Sequence, residues 1–413
     1  MPGFQRGTAE YRRVTLALFL AALSTYASLY LTQPILPLLS KEFGISPASA
    51  SLSVSAATLS LAASLVLAGP LADSVGRKPV MTWAMIATGV IGLTAALVPR
   101  FEAFLALRFL HGIVMAGVPA TAMAYLSEEI DPEHLGAAMG LYIAGNSMGG
   151  LAGRIVAGTL ADLWNWRGAV ASIGLISLLC SLWFARTLPP SRHFQPQPLR
   201  LSRLGRSLLQ VLADPVLRCM YAIAFLAMGG FVTLYNYISY YLTSPPYNLS
   251  GAIVSWIFLL YLFGTFSSAW LGSLSDRYGR APILALGLVL QMAGALATLV
   301  RALPIKIAAI ALFTAGFFGA HSIASGWVGR RAKANRGAAS SLYLFCYYFG
   351  SSVAGTTGGL FWMRCGWVGV IAFITTFLLI ALAMVGLAQR YALRPAGSSR
   401  PPVGYDQTAR TAD

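Results

Sequence analysis

Two arginines fall where charge is expensive. Arg108 and Arg154 stand inside long apolar stretches, whereas all 13 carboxylates lie in tails, in loops or at the ends of such stretches. A guanidinium held in hydrocarbon costs at least a few kcal/mol and is usually retained for function. With no acid nearby in sequence, its counter-charge must be backbone carbonyls, water, tyrosine hydroxyls, a stretch-end acid such as Asp162, or a bound anion. A structural hydrogen-bond hub between helices is the plainer alternative. His111, three residues after Arg108, and His321 are candidates for proton exchange near neutral pH, or else packing histidines. A group of phenols and amides completes the polar inventory: Tyr26, Tyr30, Gln33, Asn146, Tyr235, Asn236, Tyr237, Tyr343 and Tyr347. Buried, each needs a partner, and a water-filled cavity supplies one. With Arg154 they are the candidate substrate contacts, while Tyr240, Tyr241 and Trp164 suit an interfacial belt.

These residues must be positioned by membrane-spanning helices. The chain has 413 residues, 57% hydrophobic and only 10% charged, against roughly a quarter charged in a soluble domain. That balance excludes a water-soluble enzyme and a disordered chain. A bilayer core about 30 Å thick takes about 20 apolar residues per helix, and twelve stretches between Val14 and Gln389 qualify. The expected fold is all-α, a polytopic membrane protein of twelve transmembrane helices. The first stretch, 14–38, is too long for a cleaved signal peptide and reads as a permanent helix; the fourth runs over 101–127. At about 1.5 Å per residue, Arg108 lies roughly 10 Å in from Phe101 and Arg154 roughly 13 Å in from Leu163.

The formal charge of +16 is explained by orientation. Cations near span ends set topology: 21 Lys or Arg fall on the side of the tails and even-numbered loops, and six on the other. Both termini are therefore expected in the cytoplasm, with the basic excess facing anionic lipid and no nucleic acid as partner. The four cysteines suit packing better than a metal or disulfide framework, and no cofactor is implied. A phosphate-cradling loop is missing. His321 with Ser325 is the best fragment of a catalytic pair, and it has no supporting constellation.

The chain repeats itself. Gly69, Leu71, Asp73, Gly76, Arg77 and Pro79 recur 203 positions on as Gly272, Leu274, Asp276, Gly279, Arg280 and Pro282. Gly136, Ala137, Ala138, Leu141 and Tyr142 recur 201 positions on as Gly337, Ala338, Ala339, Leu342 and Tyr343. The expected organisation is a segment 1–13, a six-helix bundle 14–188, a linker 189–214, a second bundle 215–390 and a tail 391–413. The linker carries Pro189, Pro190, Pro196 and Pro198, then Arg200, Arg203 and Arg206, and suits a short amphipathic helix at the membrane surface.

The doubled motif, with Lys78 completing its first copy, resembles the signature of the major facilitator superfamily across the whole membrane-spanning region. Arg108 to Gly117 is similar to that family's second motif, and the run from Gly145 to Arg154 resembles the glycine-rich motif of its drug:proton antiporter branch. Tyr30 to Pro34, Tyr235 to Tyr237 and Tyr347 to Ser352 resemble the YnfM-type group of inner-membrane transport proteins. The resemblance implies two pseudo-symmetric six-helix bundles that rock about a central substrate site, in a bacterial inner membrane and as a monomer. It implies that Asp73 and Arg77 latch the cytoplasmic side against the start of the eleventh span. It also implies that the face of Gly145, Gly149 and Gly153 bends and seals the outer side against the opposite bundle, with ordinary close packing as the alternative. The acids Glu128, Glu129 and Asp131 face, in that layout, Arg277 and Arg280 of the other bundle, opposite a basic loop of Arg330, Arg331, Lys333 and Arg336. An inter-bundle ion-pair cluster is expected there. The implied activity is secondary transport, as proton-coupled efflux of anionic or neutral amphipathic small molecules, or alternatively uptake or organic-anion exchange. Absence of a mid-membrane acid departs from those antiporters that carry one in the first span.

Overall fold

The computed structural model describes residues 3–194, 196, 201–332 and 335–393, the side chains of 201–204 excepted. Pro198, Arg200, the Arg203 side chain, Lys333 and the tail from 394 therefore lie outside the described residues. The helices are α1 (Ala9–Tyr30), α2 (Leu36–Phe43), α3 (Pro47–Val75), α4 (Arg77–Leu97), α5 (Phe101–Met115), α6 (Gly117–Glu129), α7 (Leu135–Leu163), α8 (Trp166–Thr187), α9 (Leu201–Ala213), α10 (Pro215–Thr243), α11 (Gly251–Ser255), α12 (Tyr261–Tyr278), α13 (Arg280–Ala297), α14 (Leu303–Arg331) and α15 (Arg336–Leu393), with a 3-10 turn, Trp256–Leu260, before α12. Among the described residues there is no strand, only an isolated bridge between Phe4 and Ile130.

Ten helical segments are long and apolar enough to cross a membrane, α5 with α6 and α11 with α12 each making one. The 58 residues of α15 would reach roughly 87 Å at 1.5 Å each. The chain instead turns back at Gly366, where φ is 58°, and makes two crossings. With the 29-residue α7, the described chain makes twelve.

The sequence expectation for the first span is corrected. The stretch 14–38 is broken after Tyr30, because Pro34 has no N–H to give and disfavours helical geometry at the preceding Gln33. The fourth stretch, 101–127, makes one span as expected, stepped at Ala116 between α5 and α6.

α1 packs on α7 and α8, α4 on α8, and α3 on α5; in the second bundle α10 packs on α15 and α14 on α12 and α13. The bundles meet where α3 touches α15 and α7 touches α11. Lipid gives apolar faces no reason to associate, so close approach depends on small residues. The Cα of Leu23 lies 2.6 Å from where a Gly149 β-carbon would stand. Gly145 and Gly153 meet α1 in the same way at Phe19 and Ala27. The glycine face of α7 is thus buried within the first bundle and not against the opposite one. Further along the same helix, Gly158 does abut the other bundle, at Ser255.

The repeated motif has a backbone cause. Gly76 (φ 114°) and Gly279 (φ 90°) start α4 and α13 in a region closed to residues with a β-carbon. Each is followed by arginine and, three residues on, by proline within the first helical turn.

Candidate functional site: a chamber between the bundles

A cavity of about 520 Å³ lies between α1 and α7 on one side and α10, α12, α14 and α15 on the other. Tyr26, Tyr30, Asn146, Arg154, His321 and Tyr347 line it, joined by Tyr261, Tyr348, Phe231 and Phe318.

Arg154 anchors its closed end. It is 3% exposed; its Nε donates to Gln33 Oε1 at 2.7 Å and Nη1 to the Gly150 carbonyl at 2.5 Å. The guanidinium carbon stands 4.1 Å from the centre of the Tyr30 ring, 4.9 Å from Tyr261 and 5.1 Å from Phe258. Ring faces attract a cation, and two of these three belong to the second bundle. Gln33 does not line the cavity; its Nε2 donates onward to Asn236 Oδ1 at 2.8 Å.

Further cross-bundle bonds form beside this relay. Tyr240 donates to the Leu36 carbonyl at 2.9 Å and shares a 2.7 Å hydroxyl bond with Ser40. Ser55 and Ser352 exchange hydroxyl-to-carbonyl bonds at 2.9 Å, and Asp162 accepts from the Ala252 amide at 3.3 Å. Tyr240 is therefore part of a seal and not of the belt, while Tyr241, partly buried, stacks on Trp367 at 5.0 Å. Exposed Trp164 fits the belt. All these bonds lie toward the face of the odd-numbered loops.

On the opposite face, which carries Asp73 and Asp276, no described ion pair joins the two bundles. Arg77 pairs with Asp73 and, at 2.8 Å, with Glu128. Lys78 donates to the Leu188 carbonyl at 2.5 Å. Glu129 accepts from the amides of Arg192 (2.6 Å) and His193 (3.0 Å) and faces the His193 ring. Asp131 caps the Glu133 amide at 3.0 Å. Arg331 pairs with Asp214 at 2.7 Å. In this state, then, Glu128 and Glu129 at the end of α6 are held by Arg77 and by the start of the linker, and neither pairs with Arg277 or Arg280 among the described residues.

Arg108 lies in the first bundle, away from the chamber. Its Nε donates to Ser53 O at 2.9 Å, Nη1 to Ser28 O at 3.0 Å and Nη2 to Leu29 O at 2.5 Å, with His111 Nδ1 3.1 Å from Nη1. Ser28 and Leu29 close α1, where the carbonyls have lost their next-turn partners. A cation at a helix C-terminus is favoured, so Arg108 caps the broken end of α1 and fixes the turn that presents Gln33.

Five expected contacts, Gln33 among them, are not part of the lining. Tyr235 is packed in the second bundle with its hydroxyl on Thr314 at 2.7 Å. Tyr237 bonds Gly355 O at 2.7 Å, Asn236 belongs to the seal, and Tyr343 meets His321 Nδ1 at 3.0 Å behind the chamber wall. Phe258 and Tyr261 were not anticipated. A single phenylalanine in an apolar span has no sequence signal, but Phe258 follows Ser55 by the repeat offset of 203, and both stand at a seam between bundles.

The family profile described as Major Facilitator Superfamily matches residues 18–355 and again 243–411. The chain is 48% identical over 395 residues to the MFS-type transporter YybF of Bacillus subtilis (strain 168), covering 96% of this chain and 98% of that protein. It is 48% identical over 378 residues to the inner membrane transport protein YnfM of Escherichia coli (strain K12), covering 92% and 91%. Among solved structures, a bacterial homologue of the human lysosomal transporter Spinster, in an inward-facing and occupied conformation, superposes with a TM-score of 0.76 at 17% identity over 93% of this chain and 98% of that one. With its duplicated motif, paired bundles and central chamber, the chain belongs to the Major Facilitator Superfamily of membrane transporters.

Proposed function

We propose that this protein is a proton-coupled exporter of small organic molecules with an anionic or neutral amphipathic preference, working as a monomer in the bacterial inner membrane. Both termini face the cytoplasm, and bundles 14–188 and 215–390 rock about the linker 189–214. The observation that carries this reading is the uneven contact pattern around the chamber. The bundles are bonded on one face at Gln33–Asn236, Tyr240–Leu36 and Asp162–Ala252, and no described ion pair joins them on the other. Such a state gives access from the cytoplasm, and breaking the seal while forming contacts among the Asp73 and Asp276 loops gives access from outside. His321, lining the chamber beside Tyr343 and Tyr347, is the proposed proton carrier. Arg108 and His111 act through the shape of α1.

Everted vesicles with an internal pH dye test it. A transported compound should alkalinise the proton-loaded interior, and His321→Asn should abolish that signal. Acidification in its place would mark a symporter. Uptake that leaves the dye unmoved would mark anion exchange, a second reading favoured by the lack of a carboxylate among the described lining residues.

A further inference from the structure

Arg154 presents more donors than the fold uses. A guanidinium has five N–H groups, and two of these find acceptors, Gln33 and Gly150. One N–H on Nη1 and both on Nη2 are left without an acceptor among the described residues. No described carboxylate lies within ion-pair distance of it, although the side chain is 97% buried and lines the chamber. Arg108 is the internal contrast: equally buried, it meets three carbonyls and a histidine nitrogen. Four of its five N–H groups thus find acceptors, against two of five at Arg154.

Resting on the transporter reading, we infer that the Nη1/Nη2 edge of Arg154 is the docking point for the carboxylate of a small organic monoanion. Two parallel N–H···O bonds match that planar fork. The anion neutralises a charge that the ring faces only partly offset. Met228, Phe231, Phe318 and Leu344 accept an aromatic or aliphatic body beyond it.

The same contact reaches the seal. Arg154 holds Gln33, and Gln33 holds Asn236 of the other bundle. A guanidinium drawn toward an incoming carboxylate gives up Nε–H···Gln33, and Gln33 loses the anchor that aims its amide across the interface. Binding in the chamber thereby loosens the sealed face.

The test uses the purified full chain with benzoate, 4-hydroxybenzoate and octanoate, each against its amide. Spin labels at Lys41→Cys and Ser244→Cys, exposed positions on the sealed face of each bundle, report opening after the four native cysteines are replaced by serine. At least one acid should raise the melting temperature and lengthen the label distance at concentrations ten-fold or more below its amide. Arg154→Gln should erase that difference, and Arg154→Lys should keep part of it. Equal action of acid and amide, an undiminished acid response in Arg154→Gln, or inactivity of all three acids overturns the inference. If Arg154→Gln does not fold, Arg154→Lys and the acid-to-amide ratio on the unsubstituted arginine still decide it. A neutral or cationic compound that moves the labels while the acids do not would leave the transporter reading standing without this one. Labels that no compound moves, with no flux in vesicles, would remove both.

Discussion

Gln33 and Asn236 stand 203 residues apart, the offset that relates the duplicated motifs, and their side-chain amides are bonded at 2.8 Å. Equivalent positions of the two halves thus meet each other, which can happen only beside the pseudo-two-fold axis. The supports on either side differ. Gln33 is held by Arg154, whereas Asn236 has the Gly355 carbonyl 3.5 Å from Nδ2. Gly355 follows Arg154 by 201 residues, the offset of the second repeat. One half carries a charge where the other has no side chain, so a symmetric frame holds an asymmetric chamber.

Removing the amide bridge should free the sealed face without unfolding the protein. A buried neutral hydrogen bond contributes about 1 kcal/mol net, equivalent to roughly a five-fold shift in population. Gln33→Ala should speed alkylation of a Thr32→Cys reporter, buried in the seal, by a membrane-impermeant maleimide about that much. A rate equal to that of the Gln33 parent would place the closing energy elsewhere.

Arg108 should prove structural in its energetics and indirect in transport. Arg108→Gln leaves carbonyls at Ser28, Leu29 and Ser53 short of donors, at about 1 kcal/mol or more apiece, so a melting decrease of roughly 3 °C or more is expected. Arg108→Lys should recover little, since one ammonium does not span acceptors on both α1 and α3. If Arg108→Gln melts normally but no longer binds cargo, the cap assignment is wrong.

The twelve crossings, the repeat and the chamber were legible because lipid enforces them. Helix length, cation placement and glycine at positive φ are local requirements that a sequence must write down. Tyr26, Tyr30, Asn146 and Arg154 were legible as chamber residues because a polar group in an apolar span needs water or a partner. Tyr235 carries the same signal and found Thr314 inside its own bundle; which partner wins depends on helix rotation, which composition does not encode. The break after Tyr30 was written in Pro34 and Pro37, yet hydropathy runs straight through it. The fate of Glu128 and Glu129 was illegible for another reason. Their partners Arg77 and the amides of Arg192 and His193 are 51 to 64 residues away, brought close only by the bundle.

Two glycines of α7 should separate packing from gating. At Gly149 a β-carbon meets the backbone of Leu23, which cannot yield, so Gly149→Ala should destabilise the protein by about 1 to 3 kcal/mol and lower expression and melting together. At Gly158 the obstacle is the Ser255 side chain across the interface. Gly158→Ala should keep near-normal melting and shift the spin-label distance on the sealed face outward, and Gly158→Ala with Ser255→Gly should restore it. Equal melting losses for both glycines, with no label shift, would mean that α7 has a single packing role along its whole length.

Glu129 should act on the connecting segment and not as a cross-bundle latch. Its carboxylate is 1% exposed and gathers the Arg192 and His193 amides, while Tyr125 donates to Pro189 O at 3.0 Å and Arg192 lies over the Phe4 ring at 4.5 Å. These contacts fasten the start of the connection between the bundles onto the first bundle. Glu129→Gln keeps the shape but exchanges a charge-assisted acceptor for an amide, about 1.5 to 3 kcal/mol weaker at most. Cleavage by trypsin after Arg192 should then rise roughly ten-fold or more, with the label distance on the sealed face unchanged. Glu128→Gln releases only Arg77, which keeps Asp73, and should leave trypsin cleavage near its original rate. The two acids are adjacent in sequence and alike in chemistry, so a difference between them can come only from what each one holds.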